Sequence, residues 1–583
     1  MFETKICQNC KQNFTIEPED FNFYEKIKVP PPTFCPECRM VRRMCWRNER
    51  YLYKNKCGLC ERSIITIYSP DKPHKIYCSD CFHGDKWDPM AFGVDIDFSR
   101  PFLEQFKELQ LKVPRLYAFV FQNFNSEYTN GSAFNKNCYL IFVSDHNEDC
   151  SYCYSTFHSK NSLDCLNSNE CELCYNCISC NKCYKVLFSE DCSDSQDLIF
   201  CKDCVNCHDC MGSVNLRNQQ YYIFNIKYSK EEYLNKIKEF KLNTIGGLNI
   251  LRKNSTNLWL KYPTKYIHGL RNTNVIGDYV ISSKNSEFIF DSELIEDSKF
   301  LNIGNKAKSC YDGYVAVDGP ELSYEIVSAI ATSNVKSGYC VWHDFNVTYS
   351  DTCENSNNLF GCVGLRKKQY CILNKQYSKE QYEELLPKII QHMKNIPYHD
   401  LEKRIYSYGE YFPPDLSPFA YNETVAQEYF PLTKEQALEQ GYKWKDREPR
   451  NYSIDIKTED LPDNIKDVDE SIINKVIECA HHAQNEHPAN CEASCTEAFK
   501  IISDELQFYR RMNLPLPRLC PNCRHYERLK QRNPLKLWHR SCMCDKTSHH
   551  NHKGKCEVEF ETSYSPDRPE IVYCEKCYQQ EVY

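Results

Sequence analysis

The sequence lacks a long apolar run. Its longest apolar stretches, such as residues 116–121, fall far short of the roughly 18 residues that a membrane-spanning helix needs. The first residues also lack the charged and then apolar pattern of an export leader. We therefore expect a protein that does not enter a membrane and that stays in the cytoplasm.

The motifs of the common enzyme classes are also absent. The chain has no Gly-x-Ser-x-Gly, no phosphate-binding glycine loop, no dinucleotide-binding glycine pattern and no His-Glu-x-x-His. This favours a binding or scaffold protein over an enzyme. An enzyme with a carboxylate site stays open as an alternative, because acids and one histidine cluster at Asp312, Asp318, Glu321, Glu325, His343 and Asp344.

The net charge argues against a protein that coats nucleic acid with a uniformly basic surface. A formal charge of −8 and a pI near 6.1 do not fit a uniformly cationic coat for nucleic acid, although a local basic patch is compatible with them. The length of 583 residues corresponds to about four average domains, so the chain can build more than one core.

Cysteine is abundant, and its spacing separates two uses. In a long chain without an export leader, 38 cysteines are expected to be reduced core residues or metal ligands rather than disulfides. Four Cys-x-x-Cys pairs lie in the first ninety residues, and two such pairs make a closed four-sulfur zinc site. In sequence order, the predicted sites use Cys7, Cys10, Cys35 and Cys38, and then Cys57, Cys60, Cys78 and Cys81.

The C-terminal end repeats this scheme. An offset of 485 maps Cys35 and Cys38 onto Cys520 and Cys523, and an offset of 496 maps residues 68–73 onto 564–569. The duplication predicts two more zinc sites, formed by Cys491, Cys495, Cys520 and Cys523 and by Cys542, Cys556, Cys574 and Cys577. Substitute ligands stay open, namely His487 or Cys479 in the third site and Cys544, His549, His550 or His552 in the fourth. The expected cofactor is about four zinc ions.

Residues 7–39 and 495–524 resemble the bacterial treble-clef or zinc-ribbon domain family described as probable zinc-binding. The layout resembles large bacterial zinc-ribbon proteins in which two copies of this domain flank a cysteine-rich repeat region. The resemblance implies zinc binding. Some of those proteins carry a family III CoA-transferase label, but no doubly wound α/β pattern supports that reaction here.

Basic and aromatic residues follow one Cys-x-x-Cys pair at each end of the chain. Residues 38–57 hold seven Arg or Lys against one Glu, and residues 523–542 hold six against one. Such segments can bind phosphates and bases, so nucleic acid is a candidate partner, with protein as the second candidate. The candidate contact residues are Arg39, Arg42, Arg43, Trp46 and Arg47 in the first segment and Arg524, Arg528, Lys530, Arg532 and Trp538 in the second. The alternative is that these side chains pack over small zinc modules.

The middle of the chain differs in composition from both ends. Residues 138–210 contain fourteen cysteines, with runs at every third position, among short strand-like phrases. Short recurring units predict a β-solenoid in which cysteine forms a buried ladder. A thiolate cluster for metal handling is the alternative. The predicted fold is therefore mainly β, a two-part β-solenoid (β-helix-like) with small α+β zinc-ribbon or treble-clef modules at both ends.

A second duplication divides the solenoid. Residues 214–233 recur at 363–382, and in both copies a serine, Ser229 or Ser378, precedes a helical pattern as a helix N-cap would. The predicted domains are zinc-ribbon pair I at 1–90, a helical connector at 91–137, solenoid half 1 at 138–240, solenoid half 2 at 241–395, a linker with a short helix at 396–470 and zinc-ribbon pair II at 471–583.

Overall fold

The central region winds as a parallel β-solenoid with 12 residues in a regular coil. The computed structural model describes residues 2–447, 452–483, 494–546 and 551–583. Glu148 bridges in parallel to Lys160, Lys160 to Glu172 and Glu172 to Tyr184, each one coil further on. The chain turns at every third residue through a left-handed conformation, with φ of 56° at Leu173 and 52° at Asn176. Each coil is thus a square of four three-residue sides.

The triplet repeat explains the cysteine spacing. The first residue of each triplet points inward, the second bridges to the next coil, and the third takes the left-handed corner. Cys171, Cys174, Cys177 and Cys180 occupy four successive inward positions and are at most 1% exposed. Cysteine, a small and soft apolar residue, fills most of these positions in half 1, whereas half 2 has larger aliphatic residues such as Ile289, Leu301 and Val335 at equivalent inward positions.

Solenoid half 1 spans the coils from residue 120 to residue 223. Its pairing is parallel until a final antiparallel turn, in which Tyr222 and Ile223 pair with Lys227 and Ile226. Its strands are Val120–Phe121, Thr129–Ala133, Ile141–Asp145, Tyr154–Phe157, Leu166–Asn169, Gln196–Ile199, His208–Met211, Gln220–Ile223 and Ile226–Lys227.

Solenoid half 2 repeats this plan from residue 269 to residue 376. One step is a residue short, from Thr273 to Lys284, and one is a residue long, from Lys308 to Glu321. Its strands are Gly269–Leu270, Thr273–Ile281, Lys284–Glu293, Lys299–Asn302, Lys308–Tyr314, Glu321–Val327, Lys336–Tyr339, Phe345–Asp351, Asn357–Phe360, Gln369–Ile372 and Lys375–Gln376.

The short step and the long step cancel. Residues of half 2 therefore correspond to residues of half 1 at an offset of 149 before the short step and after the long step, and at an offset of 148 between these two steps. Ion pairs repeat at the second offset. Glu148 contacts Lys136 and Lys160 of the neighbouring coils, and in half 2 Glu296 contacts Lys284 and Lys308. The two halves therefore present equivalent residues on equivalent sides.

Thirteen α-helices are present among the described residues. They are α1 (Pro18–Ile27), α2 (Pro36–Met44), α3 (Ser79–His83), α4 (Phe102–Lys112), α5 (Lys230–Glu239), α6 (Ile245–Trp259), α7 (Lys379–Asn395), α8 (Val425–Tyr429), α9 (Lys434–Glu439), α10 (Ala480–Ala483), α11 (Ser503–Met512), α12 (Pro521–Gln531) and α13 (Glu575–Val582). Helices α5 and α7 follow the two solenoid ends. Ser229 and Ser378 are their N-caps, and each forms a reciprocal capping box, as the sequence predicted.

Each end of the chain forms two small modules built on antiparallel strand pairs. The pairs are Glu3–Ile6 with Asn13–Ile16, Tyr53–Lys56 with Ser63–Thr66, Ile477–Glu478 with Ala498–Phe499, and Trp538–Ser541 with Glu559–Thr562. The mainly β fold, with a β-solenoid between cysteine clusters in small modules at both ends, is confirmed.

The modules join the solenoid through parallel strand pairs. Ile76–Tyr77 pairs with Arg115–Leu116 before half 1, and Val572–Tyr573 pairs with Thr264–Lys265 before half 2. The offset of 149 relates the two receiving strands, and it also relates Pro114 to Pro263 beside them. N-terminal and C-terminal modules therefore attach at equivalent positions of the two halves.

The segment that follows α7 packs between these parts. It contains the strand pair Tyr398–His399 with Ile405–Tyr406 and helices α8 and α9. Its side chains, including Tyr411 and Phe412, lie in the same hydrophobic core as Trp46 of the N-terminal modules and Tyr349 of half 2. None of the helices in the described ranges combines the length and apolar character that crossing a bilayer requires.

Candidate metal centres and module docking

Four clusters of four cysteines lie in the terminal modules. In each cluster the four sulfur atoms are within 4.8 Å of one another, which suits a single metal ion. The clusters are Cys7, Cys10, Cys35 and Cys38; Cys57, Cys60, Cys78 and Cys81; Cys479, Cys495, Cys520 and Cys523; and Cys542, Cys556, Cys574 and Cys577.

All four clusters are built in the same way. The first two cysteines lie between the paired strands of a module, and the third is the residue that caps a helix, namely Cys35 for α2, Cys78 for α3, Cys520 for α12 and Cys574 for α13. The fourth cysteine lies in the first turn of that helix. A hairpin and a helix N-terminus thus supply two sulfurs each.

One hydrogen bond recurs in every cluster. The backbone N–H of the third cysteine donates to the sulfur of the first, over 3.2 Å from Cys35 to Cys7 and 3.3 Å from Cys78 to Cys57. The corresponding distances are 3.3 Å from Cys520 to Cys479 and 3.2 Å from Cys574 to Cys542. Backbone N–H groups stabilise the negatively charged thiolate, which is the form of cysteine that binds a metal ion.

The pKa values of the thiols follow this environment. Burial raises the pKa of Cys57, but backbone N–H groups of Cys60 and Cys78 outweigh it and give a pKa of about 6. Hydrogen bonds from Cys35 and Cys38 hold the pKa of Cys7 far below its usual range. The thiols of Cys479 and Cys495 do the same for the pKa of Cys520. Each of these clusters therefore favours one thiolate, while burial and the neighbouring thiols raise the pKa of other members, to about 12 at Cys81.

In the third cluster the described residues include Cys479, which the sequence left open as a substitute ligand. Its fourth sulfur within the described residues is that of Cys479, which follows the strand Ile477–Glu478 as Cys7 follows Glu3–Ile6. The sequence assignment of Cys491, and the substitute His487, fall outside the described residues. The wide spacing of Cys491 and Cys495 is the sequence feature that left Cys479 open as a ligand.

A fifth group shares a residue with the fourth cluster. Cys544, His552 and Cys577 bring ligand atoms within 4.8 Å of one another. Asn551 donates a hydrogen bond to the same Cys577 sulfur over 3.2 Å. His549 and His550 lie outside the described residues. This group could add a ligand to the fourth cluster or hold an ion beside it.

The central cysteines are arranged differently. Their sulfurs donate to the carbonyl oxygen two residues before them, and most also donate to a carbonyl nine residues further on, as Cys177 does to Tyr175 and, over 3.0 Å, to Val186. Among the described residues, no three of these sulfurs form a metal-sized group. Burial raises the pKa of Cys138 to about 11 and of Cys210 to about 12, whereas neighbouring thiols lower the pKa of Cys180. The geometry favours a ladder over metal handling.

The arginines predicted to face nucleic acid are buried against the solenoid. Arg39, Arg42, Arg43 and Arg47 are at most 4% exposed, and Trp46 is fully buried. Arg39 and Arg43 each donate to Asp312 over 3.0 Å, and Arg42 and Arg43 both donate to Glu325. Helix α2 therefore docks on half 2 through these carboxylates.

The C-terminal module repeats this docking on half 1. Arg524 and Arg528, equivalent to Arg39 and Arg43, contact Asp164 over 3.3 and 2.9 Å. Asp164 corresponds to Asp312 at the offset of 148. Arg524 also pairs with Glu505 of α11 over 3.0 Å, whereas Arg532, which follows α12, pairs with Asp291 of half 2. At the N-terminal end, the first module therefore docks on half 2 while the second joins half 1. At the C-terminal end, the first module docks on half 1 while the second joins half 2.

Aromatic contacts follow the same symmetry. Tyr24 of α1 lies edge-on to Tyr324 with 5.6 Å between ring centroids, and Tyr509 of α11 lies edge-on to Tyr175 at the same distance. Of the remaining candidates for nucleic-acid contact, Lys530 is exposed and Trp538 is half-buried. Seven of the ten candidate residues are therefore arginines used inside the molecule, and contact with nucleic acid stays a prediction.

The docking carboxylates were missed by sequence reasoning. Asp312 and Glu325 appeared only in the suggested carboxylate site, and Asp164 was not singled out. The structure does not bring the six residues of that suggested site together. Asp312 and Glu325 lie under α2, Asp344 points into the solenoid and accepts from Ser356 N over 2.7 Å, and Asp318, Glu321 and His343 are exposed. The available signal was the four-residue spacing of Arg39 and Arg43, which places them on one helix face.

Comparisons with known proteins identify no family. No family model matches the chain, and no curated protein matches it. Among solved structures, a protein of Desulfovibrio desulfuricans G20 assigned as an acetyltransferase aligns with 49% of this chain and 86% of its own, at 9% identity and a TM-score of 0.09. A score this low supports neither a shared fold nor a shared activity.

Proposed function

We propose that this chain is a non-enzymatic scaffold protein in which four structural zinc ions hold terminal treble-clef modules against a two-part β-solenoid. The observation that carries the proposal is the shared construction of the four cysteine clusters, with a hairpin, a helix N-terminus and the same N–H to sulfur hydrogen bond in each. Four thiolates in a closed arrangement suit structural zinc, because zinc accepts a tetrahedral sulfur set and has no redox chemistry.

The role of zinc in this proposal is mechanical. Helices α2 and α12 each begin at a cluster and carry the arginines that bind Asp312 and Asp164. An ion that fixes the first turn of each helix also fixes the positions of those arginines. Small modules with little apolar core depend on such an ion for folding.

Protein is the partner class that we favour. The arginines that would have supplied a nucleic-acid surface are buried in ion pairs, and residues 138–212 contain twelve Asp or Glu against four Lys. An acidic solenoid repels a phosphate backbone, while a rigid solenoid with fixed modules provides lasting surfaces for protein contact.

Elemental analysis of the intact chain tests the zinc proposal. We expect about four zinc ions per chain and the loss of about one ion in each of Cys35→Ser, Cys78→Ser, Cys520→Ser and Cys574→Ser. Iron in place of zinc, or a full complement of metal in all four variants, would contradict it.

A further inference from the structure

A cleft lies between solenoid half 1, helix α6 and the C-terminal modules. Its volume is about 330 Å³, and its lining includes Phe188, Phe200, Arg252, Trp259 and Glu527. Phe188 and Phe200 stack on neighbouring coils with 4.7 Å between centroids, and the Arg252 guanidinium lies over both rings. The cleft thus has an aromatic wall with charge at its edge.

The duplication gives this cleft a counterpart on half 2. The offsets relate Phe200 to Tyr349, Glu527 to Arg42 and Gln531 to Trp46. Helix α4 takes the place of α6, since α4 precedes the strand Arg115–Leu116 as α6 precedes Thr264–Lys265. The equivalent space therefore lies between half 2, α4 and the N-terminal modules.

That counterpart is filled by the chain itself. Phe412 stacks on Phe106 of α4 with 5.1 Å between centroids, and it also contacts Trp46 at 4.9 Å and Tyr349 at 5.6 Å. Glu410, two residues earlier, binds Arg42 over 2.8 Å. An aromatic residue beside a charged one thus occupies this space.

Further contacts fix the same segment along the counterpart. Asp415 accepts from Lys107 of α4 over 3.1 Å, and Glu423 accepts from Lys72 over 2.8 Å. The Ser417 hydroxyl donates to the Cys45 carbonyl over 2.7 Å. Residues 407–423 are therefore a built-in ligand of the half 2 cleft.

The half 1 cleft has no such ligand in the described part of the chain. Its lining comes from residues 176–215, 252–268, 527–531 and 568–570, and none comes from the segment that follows α7. The Trp259 indole nitrogen is buried without a hydrogen-bond acceptor among the described residues. A buried donor of this kind is normally satisfied, so an acceptor from a bound molecule fits here.

We propose that the half 1 cleft binds a peptide segment of a partner protein that carries an aromatic side chain beside a basic one. The aromatic residue takes the place that Phe412 takes on half 2. The basic residue pairs with Glu527, which stands where Arg42 stands in the occupied cleft and whose present partner, Lys530 at 3.2 Å, is an exposed side chain that water already competes for. A backbone carbonyl of the peptide accepts from Trp259. This inference rests on the proposed scaffold function and names the class of partner.

Fluorescence anisotropy with labelled peptides tests the proposal on the intact chain. The probe is the chain's own segment 407–417 with Glu410→Lys, and the unmodified segment is the comparison. We expect the lysine peptide to bind saturably and at least ten times more tightly. Glu527→Arg reverses this preference, because a charge swap exchanges attraction for repulsion. Trp259→Phe, which removes the indole N–H and reduces the ring, weakens binding several-fold.

A matched control reverses an exposed charge far from the cleft. Glu384→Arg on α7 is expected to leave both affinities unchanged. Absence of saturable binding, equal affinity for the two peptides, or a preference unaffected by Glu527→Arg would overturn the inference. Zinc is measured in the same samples. Failure of peptide binding at about four ions per chain counts against the cleft alone, whereas a metal-poor folded chain counts against the proposed zinc scaffold.

Discussion

Asp312 is fully buried and accepts hydrogen bonds from Arg39 and Arg43, two arginines of one helix. We predict that Asp312→Ala lowers the free energy of unfolding by about 3–5 kcal/mol, because it leaves two buried guanidinium groups without a full set of acceptors. Urea unfolding followed by circular dichroism measures the change. Asp164→Ala, the equivalent change on half 1, is expected to behave alike.

An exposed carboxylate provides the control for that prediction. Glu148 also contacts two basic side chains, Lys136 and Lys160, but all three are on the surface. Exposed pairs contribute little because water competes for both partners. Glu148→Ala should therefore leave the unfolding midpoint nearly unchanged, and a loss as large as that of Asp312→Ala would contradict the importance of the docking contacts.

Asp344 lies inside the solenoid, where burial raises its pKa to about 7. Between the usual aspartate pKa and pH 7, the folded chain keeps a proton that the unfolded chain has released. The contribution of Asp344 to stability is therefore lost as pH rises from about 4 to about 7, by roughly 4 kcal/mol at most.

Serine is the matched replacement for this aspartate. In other coils a serine hydroxyl accepts the backbone N–H of the next coil, as Ser298 does from Cys310 over 3.0 Å. We predict that Asp344→Ser keeps the Ser356 contact and flattens the fall in stability between pH 5 and pH 8. Unfolding curves at both pH values check this, and parallel pH profiles for the two proteins would refute it.

At the scale of the element, the solenoid ladder distinguishes two kinds of cysteine. Cys177 occupies an inward position that Ser189 occupies one coil later, and both donate to the carbonyl two residues before them. We predict that Cys177→Ser folds with stability close to wild type and with unchanged metal content. Cys520→Ser, the same chemical change in a cluster, should lose about one metal ion.

The ladder and the caps were accessible to sequence reasoning for a physical reason. A triplet coil turns every third residue inward, so runs such as Cys171 to Cys183 repeat with the period of the fold. Ser229 and Ser378 were readable because a capping box is local. The square coil of 12 residues and its left-handed corners could not be read, since polar corner residues are compatible with many turns.

At the scale of the whole molecule, long-range contacts decide what the arginines do. Arg43 and Asp312 are 269 residues apart, and Arg528 and Asp164 are 364 apart. Spacing within α2 shows that its arginines share a face, but it cannot show what covers that face. A basic helix next to aromatics therefore predicted nucleic acid, and the structure places the same residues in the interior.

The crossed docking predicts which region loosens when a cluster is broken. The first N-terminal module grips half 2 and the first C-terminal module grips half 1. Cys35→Ser should therefore speed amide hydrogen exchange around residues 311–327, while Cys520→Ser should do so around residues 152–175. Hydrogen–deuterium exchange with mass spectrometry distinguishes this crossed pattern from loosening confined to each module and its adjoining strand.

The number and location of bound metal ions distinguish structural zinc clusters in the terminal modules from a metal-binding solenoid. Elemental analysis of the full chain, of the four cluster variants and of Cys177→Ser separates the clusters from the ladder. The zinc scaffold predicts about four zinc ions, about one fewer in each cluster variant and no change in Cys177→Ser. Metal lost from Cys177→Ser, or retained in full by all four cluster variants, would contradict it.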